Sequence, residues 1–134
     1  MKVNPMSLSV TKPSKQRKLL YTSPAHRIRK LLTAPLSKDL RKSHGRRSYP
    51  VRKGDTVKIQ RGDFAGVEGK ITKVDTHRQR VFVEGVQREK VSGTSTTVSV
   101  PSSKVLITKL NLDDKWRSES VKLSTTPRST EEGT

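Results

Sequence analysis

Between Val51 and Asp75 the chain reads Val-Arg-Lys-Gly-Asp-Thr-Val-Lys-Ile-Gln-Arg-Gly-Asp-Phe-Ala-Gly-Val-Glu-Gly-Lys-Ile-Thr-Lys-Val-Asp, and this stretch constrains the fold more than any other. Apolar and polar residues alternate with a period of two, which suits a half-buried strand and not a helix. Glycines interrupt the alternation at Gly54, Gly62, Gly66 and Gly69. Gly54-Asp55 turns the chain into a first strand, with Val57 and Ile59 on one face and Lys58 and Gln60 on the other. Gly62 and Gly66 permit a positive φ in the connection, and Gly69 lets a second backbone approach closely. The unit is a β-hairpin, and Arg52, Lys53, Lys58, Arg61, Lys70 and Lys73 lie on its outward side.

The same texture continues to Leu112. Val67, Gly69 and Ile71 mark a second strand, Val81 and Val83 a third, Val98 and Val100 a fourth, and Val105 and Ile107 a fifth. Five short strands spaced this closely predict a mostly β domain over 49–112, closing into a small barrel that hides its own edges. The segment from Gly85 to Ser95 is too polar for a central strand and reads as an excursion from that barrel.

Outside this region the residue types change. Residues 1–48 carry thirteen Lys and Arg against the single acid Asp39, and form a basic extension expected to stay mobile without a partner. Two short helices are expected inside it, one begun by Ser23-Pro24 and one capped by Ser37 and ended by Gly45, with Pro35 between them. From 113 to 134 periodicity fades into serine and threonine, which predicts an irregular polar tail. Only 29% of the whole chain is hydrophobic, so the core is confined to part of it.

The net charge is +17, from 29 Lys and Arg against 12 Asp and Glu. Such an excess calls for a polyanion, nucleic acid or an anionic membrane surface. No apolar run approaches the roughly 20 residues of a spanning helix, and Met1 to Val10 lacks a signal-peptide core, so no membrane insertion and a cytoplasmic location are expected. There is no cysteine, and His26, His44 and His77 lie far apart, which predicts no metal and no cofactor. No Ser-His-Asp order, HExxH, P-loop or GxGxxG is present. Asp55, Asp63, Glu68 and Asp75 sit at turns among cations, where surface salt pairing is expected of them instead of acid-base chemistry, and the chain does not read as an enzyme.

The glycine placement of the 51–75 hairpin resembles the KOW motif of ribosomal and transcription-elongation proteins. The resemblance widens through Ser14-Lys15-Gln16-Arg17-Lys18, Ser23-Pro24-Ala25-His26, Leu36-Ser37-Lys38-Asp39-Leu40-Arg41 and, most specifically, Gly45-Arg46-Arg47-Ser48-Tyr49-Pro50-Val51-Arg52-Lys53-Gly54-Asp55. Downstream it continues through Val83-Glu84-Gly85-Val86, Gly93-Thr94, Ser103 to Leu110 and Asp113-Asp114-Lys115-Trp116-Arg117. Together these segments are similar to the archaeal and eukaryotic branch of the universal large-ribosomal-subunit family numbered twenty-four in the bacterial series. One departure is Ser99-Val100-Pro101-Ser102-Ser103-Lys104, where the family often has Pro-Ile-His-Pro-Ser-Lys.

The resemblance implies an SH3-like barrel that binds large-subunit rRNA, acts early in subunit assembly and lies among neighbouring large-subunit proteins near the polypeptide exit. Charge and resemblance together select Lys15, Arg17, Lys18, His26, Arg27, Arg29, Lys30, Arg41, Arg46, Arg47, Ser48, Arg52, Lys53, Arg61 and Lys70 as RNA-binding candidates. Phosphate neutralisation should supply most of the affinity, because the aromatics are too scattered for a stacking platform. Two other readings compete: a KOW module of a transcription-elongation factor and a chromatin-like DNA binder. The first wants a further globular domain that residues 1–50 are too basic and too poor in apolar residues to build; the second leaves the hairpin unexplained.

Overall fold

The alternation that marks the hairpin also sets its burial. In a computed structural model, which describes residues 10–125, Val57 and Ile59 of one strand point into the core while Lys58 between them is exposed. We number the elements in chain order: α1 Pro13–Thr22, α2 Ala25–Leu31, β1 Thr33–Pro35, α3 Lys38–His44, β2 Ser48–Pro50, β3 Thr56–Ile59, β4 Glu68–Asp75, β5 Arg80–Glu89, β6 Ser95–Pro101, β7 Val105–Lys109 and α4 Lys115–Thr125. A 3-10 turn, Ser102–Lys104, joins β6 to β7.

Five strands form one antiparallel sheet in the order β6-β5-β4-β3-β7. Val57 stands opposite Gly69 on β4 and opposite Ile107 on β7, and Ile59 opposite Val105. On the other side Ile71 faces Val83, and Val81 faces both Val74 and Val100. The register shifts between Ile71 and Lys73 and again between Phe82 and Gln87, and such bulges bend a sheet around its core.

Gly69 shows why glycine is needed at a strand crossing. A Cβ there would lie 2.7 Å from the Glu84 carbonyl oxygen and 3.0 Å from a Val83 methyl. Gly66 differs: it adopts φ +92° in the β3–β4 connection, with open space around it. Beside it Phe64 is half-buried and packs against the core.

Several expectations need correction. The sheet does not close as a barrel, since β6 and β7 remain its edges. The basic extension takes the place of ladder closure: Leu36 bridges Ile107 in parallel, and the Ser37 amide donates to the Ile107 carbonyl at 2.9 Å. Part of the extension is therefore packed against the sheet. Pro35 does separate the helices begun near Ser23-Pro24 and at Ser37, and it does so as the end of β1, which pairs with β2 through Thr33↔Pro50, Ala34↔Tyr49 and Pro35↔Ser48. Ala34 and Leu36 are fully buried in the same cluster as the strand valines. Burying a leucine contributes roughly 1.5–3 kcal/mol towards ordering the segment.

The helices of the extension also number three, not two. Pro13 stands at the start of α1, which buries no residue. Ser37 caps α3 by accepting from the Leu40 amide, and Gly45 closes it at φ +61°. At the other end the supposedly irregular tail contains α4, which puts Arg117 and Val121 into the interior. The 85–95 excursion is a β-ribbon: after the bulge, Gln87, Arg88 and Glu89 pair with Thr97, Thr96 and Ser95. Among the described residues no helix is long and apolar enough to cross a membrane.

Candidate nucleic-acid interface

Pairing of β1 with β2 folds the extension back so that α2 comes to lie beside the turn that enters β3. The Val51 amide donates to the Leu32 carbonyl at 3.1 Å and fixes this return. An open groove of about 810 Å³ results. Arg29 and Lys30 of α2 line it together with Arg52 and Lys53 of the turn and Lys73 of β4. Leu32, Pro50, Val51 and Val74 supply apolar surface, Thr72 and Thr76 hydroxyls, and no carboxylate is among the lining residues. Five cations around one concavity set up a positive field that favours an anion.

Arg52 is held from behind. Its guanidinium pairs with Asp114 at 2.5 Å, both side chains about half-exposed. The hydrogen bond from Arg52 holds the Asp114 carboxyl below its ordinary value of 3.8. Lys73 lies over the Phe82 ring, with Nζ 5.9 Å from its centroid.

The remaining candidates lie elsewhere. Lys15, Arg17 and Lys18 are exposed on α1, outside the groove, as is His26 on α2, while Arg27 is half-buried. Arg41 turns inward, its Nε donating to the Leu36 carbonyl at 2.8 Å. Arg46, Arg47 and Ser48 form an exposed run into β2, with the Arg46 guanidinium 5.7 Å from the Tyr49 ring centroid. Lys70 is exposed on β4 opposite Thr56. Arg61 joins Arg80, Arg88 and Lys104 around a second, smaller cleft of about 260 Å³, where Asp63 pairs with Arg88 at 2.9 Å. Among the described residues no group of three or more metal-ligating side chains assembles.

The most consequential pair near the groove escapes a reading of the sequence. Asp55, expected at the surface, is fully buried, and so is Arg117. The Arg117 guanidinium donates to both carboxylate oxygens, at 2.5 and 2.7 Å, and also to the carbonyls of Asn111 and Pro50. The amides of Arg52 and Asn111 complete the set on Asp55, each at 2.9 Å. The Tyr49 ring centroid lies 5.4 Å from the Arg117 guanidinium and 5.7 Å from that of Arg46. A signal exists: Asp55 shares the inward parity of Val57 and Ile59, and a carboxylate at such a position needs a buried cation. Strand alternation places Lys73 outward but does not make it a site residue, because its meeting with α2 depends on the β1–β2 pairing.

Fold and groove together define a class: a small, bent antiparallel sheet clasped by its own extensions, with one cationic face suited to polyanions. The chain belongs to the family described as ribosomal proteins L26 eukaryotic, L24P archaeal, whose match spans residues 10–123. It is 48% identical over 112 residues to large ribosomal subunit protein uL24 of Korarchaeum cryptofilum, covering 84% of this chain and 86% of that one. It is 50% identical to the uL24 proteins of Saccharolobus solfataricus, over 84% of this chain and 95% of that one, and of Sulfolobus acidocaldarius, over 83% of each. This membership is in a family of ribosomal components, not of enzymes, and decides for the ribosomal reading against the elongation-factor one.

Proposed function

We propose that the chain is a structural constituent of the large subunit of the cytoplasmic ribosome, binding large-subunit rRNA, supporting subunit assembly and contacting neighbouring large-subunit proteins. The observation that carries this reading is the groove in which Arg29 and Lys30 of the extension meet Arg52, Lys53 and Lys73 of the β domain, an excess of cations that the Asp114 carboxylate paired with Arg52 offsets only in part. Exposed Lys15, Arg17 and Lys18 on α1 and Arg46-Arg47 before β2 add cations outside the groove. Phosphates neutralise these cations and release counterions, while guanidiniums add bidentate geometry.

The test is filter binding to large-subunit rRNA fragments and to duplex DNA of matched length across a salt series. Binding to folded rRNA should be tighter at every salt concentration. Replacing Lys15, Arg17 and Lys18 with alanine should flatten the salt slope by roughly 0.7–0.9 for each phosphate that is no longer neutralised. Equal affinity for duplex DNA, or an unchanged slope on removing both α1 and groove cations, would overturn the reading.

A further inference from the structure

We propose that the groove between α2 and β4 receives one unstacked nucleotide, with its base on the apolar floor and its phosphates on the cationic rim. The protein would then be directed to a bulge or loop and not to continuous duplex. This rests on the RNA-binding reading and sharpens it.

Three features of the groove favour a nucleotide over a duplex backbone. The first is its floor. Pro50 is exposed and Val74 half-buried, so these two lining residues offer carbon surface to the concavity, while Leu32 and Val51 beside them are almost wholly buried. A duplex laid across the rim would place solvated phosphates above that surface and leave it unused, because bases in a helix are stacked on each other. An extruded base presents a flat apolar face and fills it.

The second is the arrangement of charge. Cations stand on both walls, from α2 on one side and from the β2–β3 turn and β4 on the other. The phosphates on either side of an extruded nucleotide diverge, and two cationic walls meet both. Arg52 is held in place by Asp114, so its guanidinium plane is already positioned for a base or a phosphate. The third is size and polarity. A volume of about 810 Å³ lies within the roughly 300–1,000 Å³ of clefts that take small ligands and accommodates a nucleotide. Thr72 spends its hydroxyl proton on the Phe82 carbonyl at 3.2 Å, which leaves its oxygen as an acceptor for the edge of a base.

The experiment compares two RNA hairpins of equal length with the full chain at fixed salt, one fully paired and one carrying a single 2-aminopurine bulge. The expected result is about tenfold tighter binding of the bulged hairpin, within the range that one base contact supplies, with a change in 2-aminopurine fluorescence on binding. Val74→Glu, which puts a carboxylate in the groove, should weaken binding of both hairpins and abolish the preference for the bulged one. The wild-type comparison stands alone if that variant fails to fold. Equal affinity of the wild-type chain for the two hairpins would overturn the nucleotide proposal and leave RNA binding intact. Failure to bind either hairpin at low salt would overturn the RNA reading itself.

Discussion

Replacing Arg117 with methionine should destabilise the protein more than any surface change, and the structure sets the scale. Asp55 is fully buried and accepts two bonds from the guanidinium and two from backbone amides. Methionine fills much of the arginine's volume but leaves the carboxylate with the amides alone. Removing one partner of a buried pair costs about 3–5 kcal/mol, because the surviving charge stays desolvated. That is a large share of the roughly 5–15 kcal/mol that holds a domain together. At about 4 °C per kcal/mol for a chain of this size, the midpoint should fall by about 12–20 °C. Thermal melting followed by circular dichroism measures it. Combining Arg117→Met with Asp55→Asn, which removes the stranded charge yet keeps one acceptor for the amides, should recover part of the loss and show strong coupling between the sites. A midpoint for Arg117→Met within about 2 °C of the wild type would refute the buried-pair argument.

Other substitutions probe separate parts of the fold. Gly69→Ala should cost about 1–3 kcal/mol in denaturant melts, because its Cβ meets the Glu84 carbonyl at 2.7 Å; Gly66→Ala has open space and should cost only the backbone strain of its positive φ, about 1–2 kcal/mol. Leu36→Ala should cost about 2–5 kcal/mol and raise amide exchange at Ser37, whereas an unchanged melt would mean that the extension is not part of the core. Asp114 should titrate below 3.8 by carboxyl NMR and return towards that value in Arg52→Ala. Because its folded value is depressed, the pair stabilises above pH 3.8 and that contribution is lost as pH falls through the folded value.

The legible parts of this fold are those where one side chain per two residues is apolar. Val57 and Ile59, Val81 and Val83, and Val105 and Ile107 announce their strands because each pair shares one buried face. Ser37 and Gly45 announce α3 because a cap is a local device. What stayed hidden depends on partners distant in sequence. The inward face of α4 includes Arg117 and Val121, four residues apart, and a charge at a core position erases the hydrophobic period that would reveal the helix. β1 is three residues long and ends in proline, so only its pairing with β2 makes it a strand. The cations of the site could be counted from the sequence, but their convergence could not. Arg29 and Lys73 meet across the groove only after the extension has folded back.

The clasp between Asp55 and Arg117 also bears on when the protein can finish folding. The two residues are 62 positions apart, and Arg117 belongs to the last element of the described chain. During synthesis the strands emerge first, with a carboxylate at an inward position and no guanidinium to meet it. Burying that charge alone is unfavourable, so the turn into β3 is expected to pack fully only once α4 is present. The edge of β7 imposes the same delay on Leu36, which is made early and waits for Ile107. Folding dominated by such distant partners is slow, because loops must close before any native pairing rewards them. The order of synthesis thus runs opposite to the order of need: the N-terminal extension waits for its seat, and the final helix locks it.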